Sequence, residues 1–370
     1  MGEDTKTKRK VLIVTTELRA GGTERCVTEL AIKLPDYGFQ THVVSLASLP
    51  NERDQFVKRL HQSEVKITSL NANSAWHFRR ATTTLKRLLL AESPDVVASF
   101  LFHGNVITGT ALRRQSIPWV ANIRVADPRR WRMPLEMNRL QIASKVICVS
   151  ESVKSYYQNR GSKNVPPMEV IPNGVDVEDI AEQLAKSPKG TPTHPRLGFL
   201  GRLDPQKGLD LWLEAFVSVV EKQPAVRFIV VGDGPQRAEL ETQAKRLGLE
   251  EAVVWKGWQE RPWEVLGEVD VLVYPSRFEG LSNALLEGMA AGKPLVATSI
   301  EGVEEVLGSG PPEQLVPTND HESMSRSVLQ ILADKELASK LASWNRAWIE
   351  DNYSLDGMIR RFQTVLEDAI

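Results

Sequence analysis

The chain has 370 residues, which is beyond the size at which a single hydrophobic core stops growing, so two domains of ordinary size are expected. Its 46 basic and 47 acidic residues give a net charge of -1, which argues against nucleic acid as a partner. A hydrophobic share of 42% and a charged share of 25% are those of an ordinary globular protein.

The two cysteines predict neither a disulfide framework nor a metal site. Cys26 and Cys148 lie in apolar segments far apart, and no second Cys or His stands at metal-ligand spacing from either. The apolar run after the basic segment Met1 to Lys10 is too short for a signal peptide, and no stretch is long enough to span a bilayer. We therefore expect a cytoplasmic protein whose contact with the inner face of a membrane, if any, is peripheral.

Short β-branched runs alternate with amphipathic helical stretches, which is the pattern of βαβ units and parallel sheets. In the first half the predicted strands are Val11–Thr15, Thr41–Leu46, Val65–Ser69, Asp95–Ser99, Trp119–Ile123 and Lys145–Ser150. Paired glycines follow the first strand, and there the backbone N–H groups of Gly21, Gly22 and Thr23 can approach an anion. The pattern is not G-x-G-x-x-G, so phosphate contact and a plain tight turn both stay open.

Several polar residues of the first half are candidates for contact with a ligand. His103 follows a predicted strand, although a lone His in such a place is more often a structural hydrogen-bonder. Basic pairs stand at 79–80, 86–87 and 113–114, near Trp76 and Leu88–Leu90, and can form a surface for anionic lipid or simply solvated helix faces. Beyond a strand end, three further basic residues are predicted to contact a ligand: Arg129, Arg130 and Arg132.

A polar stretch rich in Pro, Glu178–Pro195, predicts a linker. Strands resume at Arg196–Leu200, Val226–Val231, Val253–Lys256, Val269–Tyr274 and Pro294–Thr298, with a helix over Leu209–Lys222. The predicted fold class is α/β, with two Rossmann-like doubly wound parallel-sheet domains facing each other across a cleft.

A cationic loop follows the first strand of the second half. It reads Gly201-Arg202-Leu203-Asp204-Pro205-Gln206-Lys207-Gly208. Arg202 and Lys207 can neutralise a diphosphate leaving group without a metal, the guanidinium as a fork of donors and the ammonium as a point charge. A surface turn with two solvated cations is the alternative.

The block from Ser276 to Pro294 carries two glutamates around a predicted helix start. A strand delivers Glu279, Gly280 permits close backbone approach, and the helix from Ser282 offers free N–H groups to a diphosphate. Glu287 lies on that helix and can reach a ribose hydroxyl. For isolated glutamates, a capping carboxylate and a solvated helix charge are the ordinary alternatives.

Together these motifs resemble those of the retaining glycosyltransferases of family four, which have the GT-B fold. The resemblance covers nearly the whole chain. It rests on Gly201-Arg202-Leu203-x-x-x-Lys207-Gly208, Val231-Gly232-Asp233-Gly234-Pro235, Glu279-x7-Glu287, Ala20-Gly21-Gly22-Thr23-Glu24-Arg25 and Ile171-Pro172-Asn173-Gly174-Val175-Asp176. It implies an acceptor-binding domain over 1–172, a nucleotide-sugar-binding domain over 173–345 and a C-terminal helix over 346–370 that returns to the first domain.

The resemblance also implies roles for individual residues. Glu279 would face the donor sugar, Glu287 would hold the ribose, and Arg202 and Lys207 would hold the diphosphate. The remaining implied donor contacts are Gly21, Gly22, Thr23, Gly234, Gly280, Leu281, Ser282 and Asn283, with Val254–Gly257 lining the base. Many relatives have His after the strand Trp119–Ile123, whereas this chain has Arg124, which can stabilise phosphate charge or bind an anionic acceptor.

The expected activity is retaining transfer of a hexose or N-acetylhexosamine from a nucleotide-diphosphate sugar, with a UDP-linked donor favoured. The acceptor would be a glycan, a lipid-linked molecule or a small molecule, and its expected contacts are His103, Arg129, Arg130 and Arg132. The residues expected to be catalytic are Glu279, Arg124, Arg202 and Lys207, with no metal or other cofactor. Two alternatives stay open: a sugar-nucleotide epimerase or phosphorylase on the same fold, and a catalytically inactive sugar-nucleotide-binding subunit.

Overall fold

The computed structural model describes residues 8–19, 21–126, 129, 131–160, 164, 166–186, 194–260 and 262–370. The chain divides into two compact units, one formed by Met1–Gly174 with Asp356–Ile370 and the other by Val175–Leu355. Each unit contains its own parallel sheet with helices between the strands. The predicted α/β class with two parallel-sheet domains is therefore confirmed.

The first unit is built on seven parallel strands. They are β1 (Arg9–Thr15), β2 (Phe39–Ser45), β3 (Lys66–Ser69), β4 (Val96–Phe100), β5 (Trp119–Ile123), β6 (Lys145–Cys148) and β7 (Met168–Val170). Their order is β3-β2-β1-β4-β5-β6-β7, so the direction of winding reverses between β1 and β4. In such sheets ligands bind at the carboxyl ends of the strands beside this reversal.

The strands of the first unit have the apolar pattern of a sheet covered on both faces. Val11 to Val14 of β1 and Val96 and Val97 of β4 are almost fully buried. The predicted strands correspond to β1–β6 with small shifts at their ends. The sequence prediction missed β7, because its three residues are too few to show a pattern.

Among the described residues, six helices connect these strands. They are α1 (Gly22–Lys33), α2 (Gln55–Gln62), α3 (Phe78–Glu92), α4 (Leu101–Leu112), α5 (Arg132–Leu140) and α6 (Glu151–Arg160), with 3₁₀ turns at Leu34–Tyr37 and Ala75–His77. α1 packs beside α2, whereas α3, α4 and α5 pack side by side. Because crossovers are right-handed and the winding reverses after β3, these two groups cover opposite faces of the sheet.

The second unit is built on six parallel strands. They are β8 (Arg196–Leu200), β9 (Arg227–Val231), β10 (Val253–Gly257), β11 (Val271–Tyr274), β12 (Leu295–Thr298) and β13 (Leu315–Val316). Their order is β10-β9-β8-β11-β12-β13, so the reversal falls between β8 and β11. The predicted strands correspond to β8–β12, and β13 has only two residues, too few to predict.

Two groups of helices cover this second sheet. The helices are α7 (Val177–Lys186), α8 (Leu209–Lys222), α9 (Arg237–Arg246), α10 (Trp263–Leu266), α11 (Asn283–Ala290), α12 (Glu301–Leu307), α13 (His321–Ala333) and α14 (Lys335–Asn352), with 3₁₀ turns at Pro205–Lys207 and Pro312–Gln314. One buried cluster lies among α8, α9 and α13, and a second lies among α7, α11, α12 and α14.

The predicted linker over Glu178–Pro195 is wrong for its first part. Those residues form most of α7, whose Val177 and Ile180 are buried in the core of the second unit. The hydrophobic spacing of this helix was masked by the prolines that follow it. Residues 187–193, which hold those prolines, lie outside the described residues.

The last helix, α15 (Leu355–Ala369), packs within the first unit. The ring of its Phe362 stacks on Phe100 of β4 with centroids 6.3 Å apart, and the sulfur of Met358 lies 3.8 Å from that of Cys26 in α1. α15 therefore covers the sheet beside α1. Across the described ranges, every helix is too short or too polar to cross a membrane.

Candidate functional site

The loops that follow β8 and β9 pack backbone against backbone. A side chain at Gly232 would overlap the carbonyl oxygen of Gly201, and one at Gly234 would overlap that of Leu203. Gly232 also has a φ of +143°, which side-chain-bearing residues rarely adopt. Glycine is thus required at Gly234 by packing, whether or not it also contacts a nucleotide base.

The cationic loop after β8 is folded by a local cap. Asp204 accepts a hydrogen bond from the backbone N–H of Gln206 at 3.1 Å and so begins the 3₁₀ turn Pro205–Lys207. A side chain at Gly208, which has a φ of +66°, would overlap the carbonyl oxygen of Pro275. This close approach brings the turn against the segment that follows β11.

Three side chains converge on the carboxylate of Glu279. The Nζ of Lys207 donates to Oε1, the Oγ of Ser276 donates to Oε1 at 3.1 Å, and the Nε2 of Gln206 donates to Oε2 at 3.1 Å. The side chains of Glu279 and Lys207 are only 7% and 17% exposed. These four residues are called the Glu279 cluster below, and their contacts fix both oxygens of a charge-balanced carboxylate.

Glu279 does not cap the helix that follows it. The N-cap of α11 is Ser282, whose Oγ accepts from the N–H of Leu285 at 3.4 Å. The backbone of Glu279 and Gly280 packs closely on Gly302. A Cβ at Gly302 would lie 2.6 Å from the carbonyl oxygen of Glu279 and 2.6 Å from that of Gly280. The capping alternative for Glu279 is therefore wrong, and the carboxylate stands beside the positive end of α11.

Glu287 lies on α11 and is only 6% exposed, so it is not a solvated helix charge. Its charge reaches Tyr274 of β11. Burial raises the pKa of Tyr274 well above its usual range, and the neighbouring Glu287 raises that pKa further. The Tyr274 hydroxyl donates to the carbonyl of Ala284 at 2.6 Å and ties the strand to the helix. A role for Glu287 in ribose binding stays a prediction.

The two cations of the loop differ in their environment. Lys207 lies inside the Glu279 cluster, whereas the Arg202 side chain is 72% exposed and its Nε lies 3.5 Å from Asp204. The predicted donor contacts Leu281 and Asn283 adjoin Ser282 at the start of α11. Lys207 and the α11 N-terminus therefore provide the positive charge next to Glu279.

The groups that hold this site together carry no clear signal in the sequence. Gln206 and Ser276 stand within the motifs, but neither residue type indicates a contact with Glu279. The guanidinium of Arg277 forms a two-point ion pair with Asp210, at 2.8 and 2.6 Å, and also donates to the carbonyl of Pro205 at 2.7 Å. This arginine ties the segment after β11 to the 3₁₀ turn, a contact across more than sixty positions that spacing cannot reveal.

In the first unit, the paired glycines stand where predicted, between β1 and α1. Gly21 is the N-cap of α1, and Gly22 and Thr23 form its first turn. The carboxyl group of Glu24 folds back onto Gly21, where a Cβ would collide with it. Burial raises the pKa of Glu24 to about 7, its own backbone N–H opposes that shift, and Glu17 adds to it.

Glu24→Gln should stabilise the protein at high pH and not at low pH. The unfolded carboxyl titrates near 4.5 and the folded one at about 7, so stability falls as pH rises between those values. Removing the carboxyl should restore up to about 3 kcal/mol above pH 7 and nothing below pH 4.5. Urea unfolding of both proteins at the two pH limits measures this difference.

Glu29→Gln is the matched control on the same helix. Glu29 is equally buried but pairs with the guanidinium of Arg59 at 2.6 Å, so its replacement should not stabilise the fold at any pH. A Glu24→Gln gain that is the same at both pH limits would contradict the assigned pKa.

Arg124 follows β5 directly and is 5% exposed. Its Nη2 donates to the Oδ1 of Asn173, whereas its Nη1 is buried and makes no hydrogen bond among the described residues. A buried guanidinium with an unused donor is costly unless a further acceptor arrives. This observation fits the predicted contact with an anionic or hydroxyl-bearing ligand, but the contact itself stays a prediction.

Three of the other predicted acceptor residues, His103, Arg129 and Arg132, follow the carboxyl ends of β4 and β5. His103 is exposed in the first turn of α4, and Arg129 is also exposed. The Arg132 guanidinium lies 4.6 Å from the ring centroid of Phe102, and that ring meets Trp131 edge-on at 5.7 Å. The Trp131 side chain is 62% exposed. Arg130 lies outside the described residues.

Phe102 and Trp131 were not predicted as site residues. Their signal in the sequence was an aromatic side chain directly beside each predicted acceptor residue, His103 and Arg132. An exposed indole next to a guanidinium offers a flat apolar face with polar groups at its margin.

Two family models match the chain. The model described as Glycosyltransferase Family 4 matches residues 20–179, and that described as Glycosyl transferases group 1 matches residues 179–348. Together they cover both units. The chain belongs to the family-four glycosyltransferases.

This glycosyltransferase is similar to several curated proteins. It is 30% identical over 204 residues to a 2-deoxystreptamine glucosyltransferase from Streptomyces kanamyceticus, a match that covers 51% of each chain. It is 25% identical over 279 residues to a UDP-Gal:alpha-D-GlcNAc-diphosphoundecaprenol alpha-1,3-galactosyltransferase from Escherichia coli, covering 70% of this chain and 71% of that one. The chain spans about half the length, or less, of the first relatives it matches.

Solved structures share the fold of this glycosyltransferase. A crystal structure of Anabaena HepE in complex with UDP and glucose has a TM-score of 0.83 and 20% identity, covering 97% of this chain and 99% of that chain. The likeness shows the common GT-B fold.

Proposed function

We propose that this protein transfers a hexose or N-acetylhexosamine from a nucleotide-diphosphate sugar to an acceptor, with retention of the anomeric configuration. The second unit binds the donor and the first unit binds the acceptor. The favoured donor is UDP-linked, in keeping with the UDP complex of HepE and the UDP-Gal donor in the name of the Escherichia coli relative.

The Glu279 cluster is the observation that carries this proposal. It places an ion-paired carboxylate, its lysine and the N-terminus of α11 at the carboxyl ends of β8 and β11, beside the reversal of strand order. A sugar diphosphate needs both kinds of group, since its hydroxyls donate to a carboxylate and its phosphates accept from cations and helix amides.

In the proposed reaction the bond between C1 of the sugar and the diphosphate oxygen breaks, and that oxygen keeps the electron pair. The acceptor hydroxyl oxygen forms a bond to C1 on the same face, and its proton passes to the departing phosphate. Lys207 and the α11 N-terminus stabilise the charge that develops on the diphosphate. Arg202, which is exposed on the same loop as Lys207, adds a second cation.

The proposal includes no metal ion. The ammonium of Lys207, the guanidinium of Arg202 and the helix dipole of α11 supply the positive charge that a divalent cation provides elsewhere. The test is the same activity in the presence of a chelator.

The acceptor side of the proposal rests on the carboxyl ends of β4 and β5. The proposed polar contacts are His103, Arg129, Arg130 and Arg132, together with Arg124. A glycan, a lipid-linked sugar and a small molecule all present the hydroxyl that the reaction needs. We place the protein in the cytoplasm, where the buried free thiols of Cys26 and Cys148 suit a reducing compartment.

Trp131→Ala should raise the KM for the acceptor about tenfold, because sugar rings pack their apolar faces on exposed indoles. The KM for the donor and the unfolding temperature should change little, since the side chain is largely in solvent. With a water-soluble acceptor and no lipid present, Trp76→Ala, which removes another exposed indole from the same unit, is the control. An unchanged acceptor KM in the Trp131 variant would show that Trp131 does not contact the acceptor.

Calorimetric titration with UDP, GDP and ADP in the presence of a chelator tests the donor site. We expect one nucleotide to bind, and Lys207→Met to weaken that binding. Absence of binding by all three nucleotides would contradict the proposed function.

A further inference from the structure

One side of α3 faces solvent with a dense positive charge. Ala81, Thr82, Leu85 and Leu89 form its buried side and pack toward the sheet. At a hundred degrees per residue Arg80 and Arg87 lie opposite this buried side, and Arg79 and Lys86 lie along one flank of it. All four side chains are exposed, and they are called the outward side of α3 below.

This charge is not neutralised locally. The acid of α3, Glu92, points away from the basic side and pairs with Lys66 of β3 at 2.5 Å. Within the ranges that the structure describes, no carboxylate forms an ion pair with the basic residues of the outward side. Like charges at helical spacing repel one another and destabilise an isolated helix. An anionic surface next to the helix would offset this repulsion and be attracted to these basic residues.

Large apolar side chains flank the basic residues. Trp76, just before α3, is 95% exposed, Phe78 is 36% exposed and Leu90 is 71% exposed. Water is a poor environment for an indole and a leucine side chain exposed to this extent. Basic residues between exposed aromatic and aliphatic ones are typical of helices that lie in a bilayer interface.

The position of α3 in the sheet orients this surface. A crossover helix runs opposite to the strands, so the first turn of α3 lies at the edge that carries the carboxyl ends of β4 and β5. Arg124 and His103 lie at that same edge. The other end of α3 lies near the end of α4, where Arg113 and Arg114 are exposed.

We infer that Trp76, Phe78 and the outward side of α3 form a docking surface for a bilayer containing anionic phospholipid. The basic side chains contact lipid phosphates, and Trp76, Phe78 and Leu90 enter the interface. Lipid binding stands without the proposed function. Its use, to present a lipid-linked acceptor to the edge that carries Arg124, rests on that function.

Vesicle cosedimentation of the full chain tests the inference. We expect binding to phosphatidylcholine vesicles that contain phosphatidylglycerol, little binding to phosphatidylcholine alone, and release by salt. A variant with Arg79, Arg80, Lys86 and Arg87 all changed to Gln should bind anionic vesicles about tenfold more weakly or less. Trp76→Ala should also weaken binding.

The matched control removes the same charge from the second unit, by changing Lys245, Arg246, Lys335 and Lys340 to Gln, all exposed. It should bind vesicles like the unchanged protein, and far-ultraviolet circular dichroism should show both variants folded. Absence of binding to anionic vesicles, or equal loss in both variants, would overturn the docking surface. Donor hydrolysis without lipid should be equal in the unchanged protein, the α3 variant and the control variant. Failure of the proposed donor site would appear in this assay, whereas failure of the docking surface would appear only in the vesicle assay.

Discussion

Glu279→Gln should lower nucleotide release from the donor by about 10²-fold to 10³-fold, the size found when one preorganised electrostatic contact to a transition state is removed. The amide keeps the volume and can still accept from Ser276 and Lys207, but it loses the charge that pairs with Lys207. The unfolding temperature should fall only modestly, because the partly exposed Lys207 ammonium can still donate to the amide oxygen. Steady-state assay and thermal unfolding measure the two effects.

Glu268→Gln is the control for that substitution. Glu268 is another carboxylate of the second unit that accepts from a lysine, Lys256, at 3.0 Å, and it lies outside the Glu279 cluster. Its replacement should leave turnover unchanged. Near-normal turnover of Glu279→Gln would reject a transferase mechanism at this site, and a large fall in its unfolding temperature would make Glu279 a structural residue.

Lys207→Met should lower kcat about 10²-fold and also raise the donor KM. The methionine keeps much of the length of the side chain, which is 17% exposed, and removes the ammonium. Its charge is needed most when the diphosphate departs, so the loss should be larger in kcat than in KM. Single-turnover and steady-state measurements separate the two parameters.

Lys145→Met serves as the control for this second substitution. Lys145 is a half-buried lysine of the first unit that pairs with Glu169 at 3.2 Å, and no substrate role is proposed for it. An equal loss of activity in both lysine variants would point to a general effect on the fold. A Lys207 effect confined to KM would show that the ammonium only binds the donor.

Much of the fold was predictable because the sheets are buried on both faces. Runs such as Val11–Thr15 and Arg196–Leu200 are apolar almost throughout. This pattern is typical of a parallel strand buried on both faces, whereas a strand with one face in solvent alternates between apolar and polar residues. Short strands at the sheet edges were missed, because β7 and β13 have too few residues for a periodicity. α7 was missed because prolines follow it closely.

The site was predictable where its residues are neighbours in sequence. Glu279, Ser282 and Glu287 stand in one block around a helix start, and Lys207 stands in one loop after a strand. The contact between these two segments was not predictable, because it depends on Arg277 bridging to Asp210 and on Gly208 meeting Pro275. Likewise, nothing in the spacing shows that Arg124 is buried against Asn173.

The most direct test of the account is release of free nucleotide from UDP-, GDP- and ADP-sugars, measured with chelator present and no acceptor added. Slow donor hydrolysis needs no knowledge of the acceptor. We expect release from a UDP-sugar that is insensitive to the chelator and is lowered by about 10²-fold to 10³-fold in Glu279→Gln. Absence of release from every donor, together with no rise in the unfolding temperature on adding any of them, would contradict the donor site on the Glu279 cluster.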